Sequence, residues 1–413
     1  MPGASVRCGG VDGSIAGARA AARGSRLLGV LSLNTEHFML KVSHGFDAGA
    51  IETIAADRAD DIRVNIRADS HAEFRQWFYF RLQGARGQAC RIRFANAGQC
   101  TYVDGWQGYR AVASYDRRQW FRVPTSFDGN TLAIAHAPDR DSAWYAYFEP
   151  YSWERHLDLL GRAEDSSLAR VRDLGSTVDG RDVNLVTVGA ARAGKRQLWV
   201  IARQHPGETM AEWFVEGLLD RLLDHYDPVA RALLAQAVVH IVPNMNPDGS
   251  VRGNLRTNAA GANLNREWAA PSLERSPEVC YVRAAMHETG VDAFLDVHGD
   301  EGLPYVFVDG CERLPGFTPK QDALQRAFVA AFKRASPDFQ DVHGYRDDKD
   351  TKINLTLASK YVGHAFGCLA LTLEMPFKDN ADLPDEVVGW SGARSVRLGA
   401  AAIEPLLAVL PEL

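Results

Sequence analysis

His205 and Glu208 stand three positions apart in Arg203-Gln204-His205-Pro206-Gly207-Glu208-Thr209-Met210. An imidazole and a carboxylate placed across a Pro-Gly turn can both reach one metal ion. Zinc takes nitrogen and carboxylate oxygen ligands, and a catalytic zinc keeps one position open for water. A hydrophobic run, residues 197–202, precedes the turn, and a segment with helical apolar spacing, residues 211–219, comes after it. Open α/β sheets hold their ligands at such strand ends. A lone His-x-x-Glu is a weak signal, so its weight depends on partners further along the chain.

Two further strand ends carry chemistry. Phe294-Leu295-Asp296-Val297-His298-Gly299 places an imidazole where a third zinc ligand belongs; taken alone, His298 reads as structural. Thr372-Leu373-Glu374-Met375-Pro376 puts a carboxylate at the end of an apolar run. Low dielectric raises its proton affinity, which suits a general base facing water at a metal. Taken alone, Glu374 reads as half of an ion pair. Between these sites lie Arg252, Asn254, Arg256 and Gly261-Ala262-Asn263-Leu264-Asn265-Arg266-Glu267-Trp268. Arginine forks and amides after a strand end suit carboxylate or phosphate capture. The competing account is a solvated loop held by amide hydrogen bonds. It is preferred for Asn246 and Asp248, because Asn-Pro-Asp-Gly is turn chemistry.

The elements that must position these groups fall into two patterns. From Leu40 to about Tyr151 short runs alternate with period two: 62–67, 76–82, 90–94, 109–115, 120–123, 131–135 and 142–148. Turn signals separate them, which predicts an antiparallel β-sandwich. Its aromatic residues read as sandwich core rather than a sugar surface. A helix begins at Glu154, and strands then alternate with helices. The strands are 183–189, 197–202, 238–243, 293–297, 303–308 and 369–373. The helices are 213–225, 277–289, 322–335 and 392–410. The fold class is α/β: a mixed, largely parallel sheet with helices on both faces, behind the sandwich. The expected division is a disordered extension at 1–38, a sandwich at 39–153 and a catalytic domain at 154–413. The Ala/Arg/Gly-rich start has too short an apolar run for a signal peptide, and Met39 is an alternative start.

Of 413 residues, 46% are hydrophobic and 24% charged, ordinary values that give ample core; net charge is −6, which argues against nucleic-acid or membrane partners. The longest apolar runs fall short of a membrane span. Six cysteines without paired spacing fit free thiols in a reducing, cytoplasmic setting.

Four elements in this order resemble the zinc carboxypeptidase family: His-Pro-Gly-Glu, the Asn-Arg pair, the strand-end histidine and the late Thr-x-Glu. The preceding sandwich and Pro150-Tyr151-Ser152-Trp153 are similar to the cytosolic carboxypeptidase branch. The resemblance covers residue 40 to the end. It implies one zinc per chain on His205, Glu208 and His298. It implies that Glu374 activates water and then protonates the leaving amine, and that Arg256 polarises the scissile carbonyl. Asn265 and Arg266 match the pair that grips the terminal carboxylate of peptide or protein tails. The branch removes acidic residues, chiefly glutamate, and Lys352 and Lys360 are the candidate pocket cations. There are departures. Asn263 stands where the family has an aspartate behind a zinc-bound histidine, and Asp300 stands where the branch has a second histidine. The substrate-closing tyrosine is Tyr345 or Tyr361. Two rivals are a zinc deacylase of acyl-amino acids on the same scaffold and a non-catalytic binding module.

Overall fold

Alternation in the N-terminal part builds a pair of packed sheets. The structure, a computed structural model, describes residues 39–345 and 354–413; the expected 1–38 extension and Lys352 lie outside them. One five-stranded sheet runs Lys41–Ser43, Tyr79–Gln83, Ser142–Ala146, Val112–Ser114 and Trp120–Arg122. The other runs Glu52–Ala55, Ile62–Asn65, Cys90–Phe94, Leu132–His136 and Thr125–Phe127. Neighbours are antiparallel except Ile62–Asn65 and Cys90–Phe94, which are parallel. Phe80 of the first sheet meets Phe94 of the second edge-on at 6.2 Å. Trp77, Phe78, Tyr79 and Phe80 are all buried, so the aromatic run is core. The strands that alternation does not reveal, Lys41–Ser43, Glu52–Ala55 and Thr125–Phe127, all lie on sheet edges. Edge strands are short and exposed, and they carry little apolar signal.

A seven-stranded sheet comes next: Ala169–Ser176, Asp182–Val188, Ala237–Val242, Arg196–Ala202, Ala293–Asp300, Leu369–Pro376 and Phe307–Asp309. The four strands from Ala237–Val242 to Leu369–Pro376 are parallel, and the flanking three are antiparallel. Alternate residues of Arg196–Ala202 face opposite cores. Leu198, Val200 and Ala202 pack with residues of helices Met210–Leu222 and Gly392–Ala401. Trp199 and Ile201 pack with residues of Pro277–Thr289 and Ala358–Phe366. Burial on both sides is why this strand reads as a continuous hydrophobic run. The sandwich shares the first of these cores, where Tyr147 stacks on Phe377 at 4.6 Å.

Several expectations change. Residues 303–308 give only the strand Phe307–Asp309. Pro304 has no N–H to give a ladder, and the Asp300 carboxylate accepts from the amides of Gly302 and Leu303, turning the chain. The closing helix is two, Gly392–Ala401 and Ile403–Val409, because Pro405 cannot donate to Ala401. The helix expected at 213–225 is Met210–Leu222, starting one residue after Thr209 and buried on nearly every side. Asn246 and Asp248 are structural, as expected, but buried rather than solvated. Asn246 caps the short helix Pro247–Arg252 through Oδ1, which accepts from Gly249 N at 3.0 Å. The Asp248 carboxylate accepts from Thr177 Oγ1, Asp179 N and Arg181 Nη1, each at 2.8 Å.

Candidate active site

The parallel strand ends deliver the functional groups to one edge of the sheet. His298 and Glu374 are register partners on adjacent strands. His205 and Glu208 lie just beyond the neighbouring strand, which ends at Ala202. Their turn is held from behind. Arg203 adopts φ +58° and is buried, and its guanidinium donates to Pro206 O (3.0 Å), Tyr151 O (3.0 Å) and Glu212 Oε2 (2.6 Å). Deleting one partner of such a buried pair costs about 3–5 kcal/mol. Tyr151, from the Pro-Tyr-Ser-Trp motif, also donates to Glu216 Oε2 at 2.8 Å, tying the sandwich exit to helix Met210–Leu222. Gly207 lies so close to the next loop that a Cβ would meet Leu255 O at 2.9 Å.

His205, Glu208 and His298 are brought together, with donor atoms within 4.8 Å of one another, all buried. His205 Nδ1 lies 2.6 Å from Glu208 Oε1, and His298 Nδ1 lies 2.7 Å from Glu208 Oε2. The remote Nε2 atoms face acceptors: Asn263 Oδ1 at 3.1 Å for His205 and Asp296 Oδ2 at 3.0 Å for His298. Such partners keep the proton on Nε2 and turn Nδ1 toward the common point. Two imidazoles and one carboxylate are the donor set of an open, catalytic zinc site, so the residues fit the ion. Burial, then the Arg256 charge, pushes His205 down to about 3, leaving it neutral. For His298 burial acts downward too, but the carboxylates of Asp296 and Glu208 outweigh it and raise it well above the ordinary value. A metal ion must displace that proton.

These three residues line a cavity of about 410 Å³ with Arg256, Asn265, Arg266, Lys360 and Glu374. Glu374 Oε1 accepts from Tyr345 Oη at 2.8 Å, and Oε2 is buried without a hydrogen-bond partner among the described residues. Burial, with the charges of Glu208 and Asp300, holds Glu374 well above the usual carboxylate range. Tyr345 Oη also lies 3.0 Å from Asp300 Oδ2, whereas Tyr361 packs away from the cavity against Trp268 and Arg283. Arg256 and Arg266 form no ion pair with a carboxylate of the described residues, so both charges are open to an anionic ligand. Arg266 gives one Nη1 hydrogen to Asn265 O at 2.6 Å. Asn265 Oδ1 accepts from Ala358 N at 2.8 Å, and its Nδ2 lies 3.4 Å from His298 Nε2, at the wall of the cavity. Lys360 reaches the cavity with its ammonium already on Asp309 Oδ2 (2.8 Å) and Gly310 O.

Sequence reasoning missed several groups here. Asp296 could have been found, since two residues before His298 on a strand is the same face. Tyr102, Glu301 and Asp309 also line the cavity and offered no such signal.

Residues 42–148 match the cytosolic carboxypeptidase N-terminal domain, and residues 154–388 match the zinc carboxypeptidase family. The chain belongs to the zinc carboxypeptidase family. A metallo-carboxypeptidase structure from Burkholderia cenocepacia is 58% identical, with a TM-score of 0.88 over 90% of this chain and 99% of that one. A metallo-carboxypeptidase from Pseudomonas aeruginosa, in complex with (2-guanidinoethylmercapto)succinic acid, is 46% identical. Its TM-score is 0.87 over 90% of this chain and 99% of that one. Human cytosolic carboxypeptidase 1 is 26% identical over 66% of this carboxypeptidase, which spans 26% of that protein's length. No described helix of the carboxypeptidase is long and apolar enough to cross a membrane.

Proposed function

We propose that this metallocarboxypeptidase uses one zinc per chain to remove single residues from the C-terminal ends of peptides and protein tails. The observation that carries the reading is the meeting, in one cavity, of three converging metal donors, a buried carboxylate with one free oxygen and two arginines without carboxylate partners among the described residues. Zinc held by His205, Glu208 and His298 would polarise the scissile carbonyl and lower the pKa of water. Glu374 takes the attacking water's proton on Oε2 and delivers it to the leaving amine. Arg256 steadies the charge that develops on the carbonyl oxygen. Asn265 and Arg266 hold the terminal carboxylate, which limits cleavage to the last residue. The sandwich domain is 39–153 and the catalytic domain 154–413, a division supported by the two family matches. The free cysteines Cys90, Cys100, Cys280, Cys311 and Cys368 and the cytosolic relatives support a cytoplasmic setting.

For the terminal side chain the reading is glutamate, with Lys360 as the cation. Asp309 favours a second reading. Its carboxylate faces the same cavity and already neutralises Lys360. The Pseudomonas relative's ligand carries a guanidino group, which a carboxylate such as Asp309 would bind in a basic-residue pocket. The deacylase rival is disfavoured because the sandwich precedes the catalytic domain.

The test is mass-spectrometric trimming of peptides ending in glutamate, aspartate, leucine, phenylalanine or lysine, with and without a zinc chelator. Chelator-sensitive loss of single residues is expected. Glutamate preferred supports Lys360, and lysine preferred supports Asp309. Glu374→Gln should keep zinc and lose at least about a hundredfold in kcat, the lower range for a general base. Full activity in that variant sinks the assignment, and trimming of no peptide with zinc present turns the reading toward deacylation.

A further inference from the structure

The sandwich does more than adjoin the catalytic domain: one of its carboxylates is wrapped by the loop that carries Arg256. Asp69 lies beyond the strand Ile62–Asn65 and is 7% exposed. Its Oδ1 accepts from Leu255 N at 2.6 Å. Its Oδ2 accepts from Arg256 N at 2.8 Å, Thr257 N at 2.9 Å and Thr257 Oγ1 at 3.0 Å. Three consecutive amides and a hydroxyl therefore converge on one carboxylate from another part of the chain. Burial raises the Asp69 pKa, and these four donors act against it. Backbone amides curled round an anion make a concave, preorganised site. Here the anion is the protein's own.

The same layer also fixes the other end of the residue. The Arg256 guanidinium lies 5.9 Å from the Phe74 ring centroid and 5.6 Å from that of Tyr102. Phe74 and Tyr102 belong to the sandwich, and Tyr102 lines the cavity. Neighbouring contacts reinforce the dock. Asn254 Oδ1 accepts from Ser70 N at 3.1 Å, while Asn254 Nδ2 donates to Thr257 O at 2.9 Å. Gly261 approaches His71 O so closely that a Cβ would lie 2.4 Å from it.

We infer that Asp69 is a positioning residue for Arg256: it holds the backbone at 255–257 so that the guanidinium, seated between Phe74 and Tyr102, meets the carbonyl oxygen of the scissile bond. This rests on Arg256 being the group that steadies the carbonyl oxygen. It makes the sandwich a component of the active site. Asparagine is nearly isosteric but carries no charge, and one of its two polar atoms is a donor. Facing four donors, it must leave some of them unpaired. A displacement of about 1 Å at a catalytic group can cost a hundredfold in rate.

The experiment compares Arg256→Ala, Asp69→Asn and the double variant in the zinc-loaded, full-length enzyme, reading kcat, KM, zinc content and melting temperature. Arg256→Ala comes first and should lower kcat by about a hundredfold or more. Asp69→Asn should lower kcat by at least about tenfold, with KM and zinc content held. In the double variant kcat should be no lower than in Arg256→Ala alone, since the route through Arg256 is already closed. Multiplying losses, or an Asp69→Asn enzyme with unchanged kcat, would overturn the inference. Wild-type kcat in Arg256→Ala would overturn the reading of Arg256 and the inference with it. If Asp69→Asn gives no folded protein, Tyr102→Leu carries the test: the same split between kcat and KM and the same non-additivity with Arg256→Ala are expected, and their absence refutes it.

Discussion

Asp296→Asn should weaken zinc binding far more than its single-atom change suggests. Trp268 Nε1 donates to Gln204 Oε1 at 2.7 Å, which fixes the amide so that its Nε2 points at Asp296. Gln204 Nε2 lies 2.9 Å and 2.8 Å from the two Asp296 oxygens, and His298 Nε2 lies 3.0 Å from Oδ2. Both neighbours are donors, and Asp296 is fully buried. Asparagine must present its NH2 to one of them. Turned toward His298, it drives the ring proton to Nδ1, the atom that faces Glu208. Turned toward Gln204, it leaves two donors opposed. Either way the ligand also loses the charge behind it. Partners of this kind are worth 10- to 100-fold in metal affinity, or about 1.4–2.7 kcal/mol at 1.36 kcal/mol per tenfold. Full burial and two converging donors place Asp296→Asn toward the upper end. The assay is chelator competition for zinc, with circular dichroism to establish that the fold is kept. Asn263→Asp is the counterpart. Asn263 is only half-buried, so a charge can be accommodated behind His205, and zinc should bind more tightly. An Asp296→Asn enzyme within about twofold of the wild-type zinc affinity would refute the reasoning.

Two further outcomes are expected. Burial pushes Glu278 up to about 8, so between pH 4.5 and 8 the folded state keeps a proton that the unfolded chain has lost. Stability therefore falls as pH rises through that window. The melting temperature of wild type should decline relative to Glu278→Gln across that same window, and parallel curves would contradict this. Lys360→Met should lower kcat/KM for glutamate-ended peptides relative to leucine-ended ones by at least about tenfold, since a hydrogen bond to a charged group is worth about 1.5–3 kcal/mol. An unchanged ratio would remove Lys360 from substrate recognition.

What the sequence determined was local. A His-x-x-Glu pair three residues apart, a histidine and a glutamate at the ends of apolar runs, and period-two alternation are patterns that neighbouring residues write together. Burial on both faces made the strands around His205, His298 and Glu374 legible as hydrophobic runs. The edge strands Lys41–Ser43, Glu52–Ala55 and Thr125–Phe127, and the helices Pro247–Arg252 and Ala358–Phe366, went unread because their apolar positions are few or interrupted by turn residues. The tertiary structure decided everything that depends on opposed chains. The pairing of Lys360 with Asp309 joins groups 51 residues apart and changes the charge of the pocket. The wrapping of Asp69 by Arg256 and its neighbours spans 187 residues. Packing places Tyr345 rather than Tyr361 beside Glu374: Tyr345 Oη donates to the carboxylate, and Tyr361 lies against Trp268. A hydrogen bond between distant segments leaves no periodicity in either of them. Its energy comes from a meeting that only the folded chain arranges.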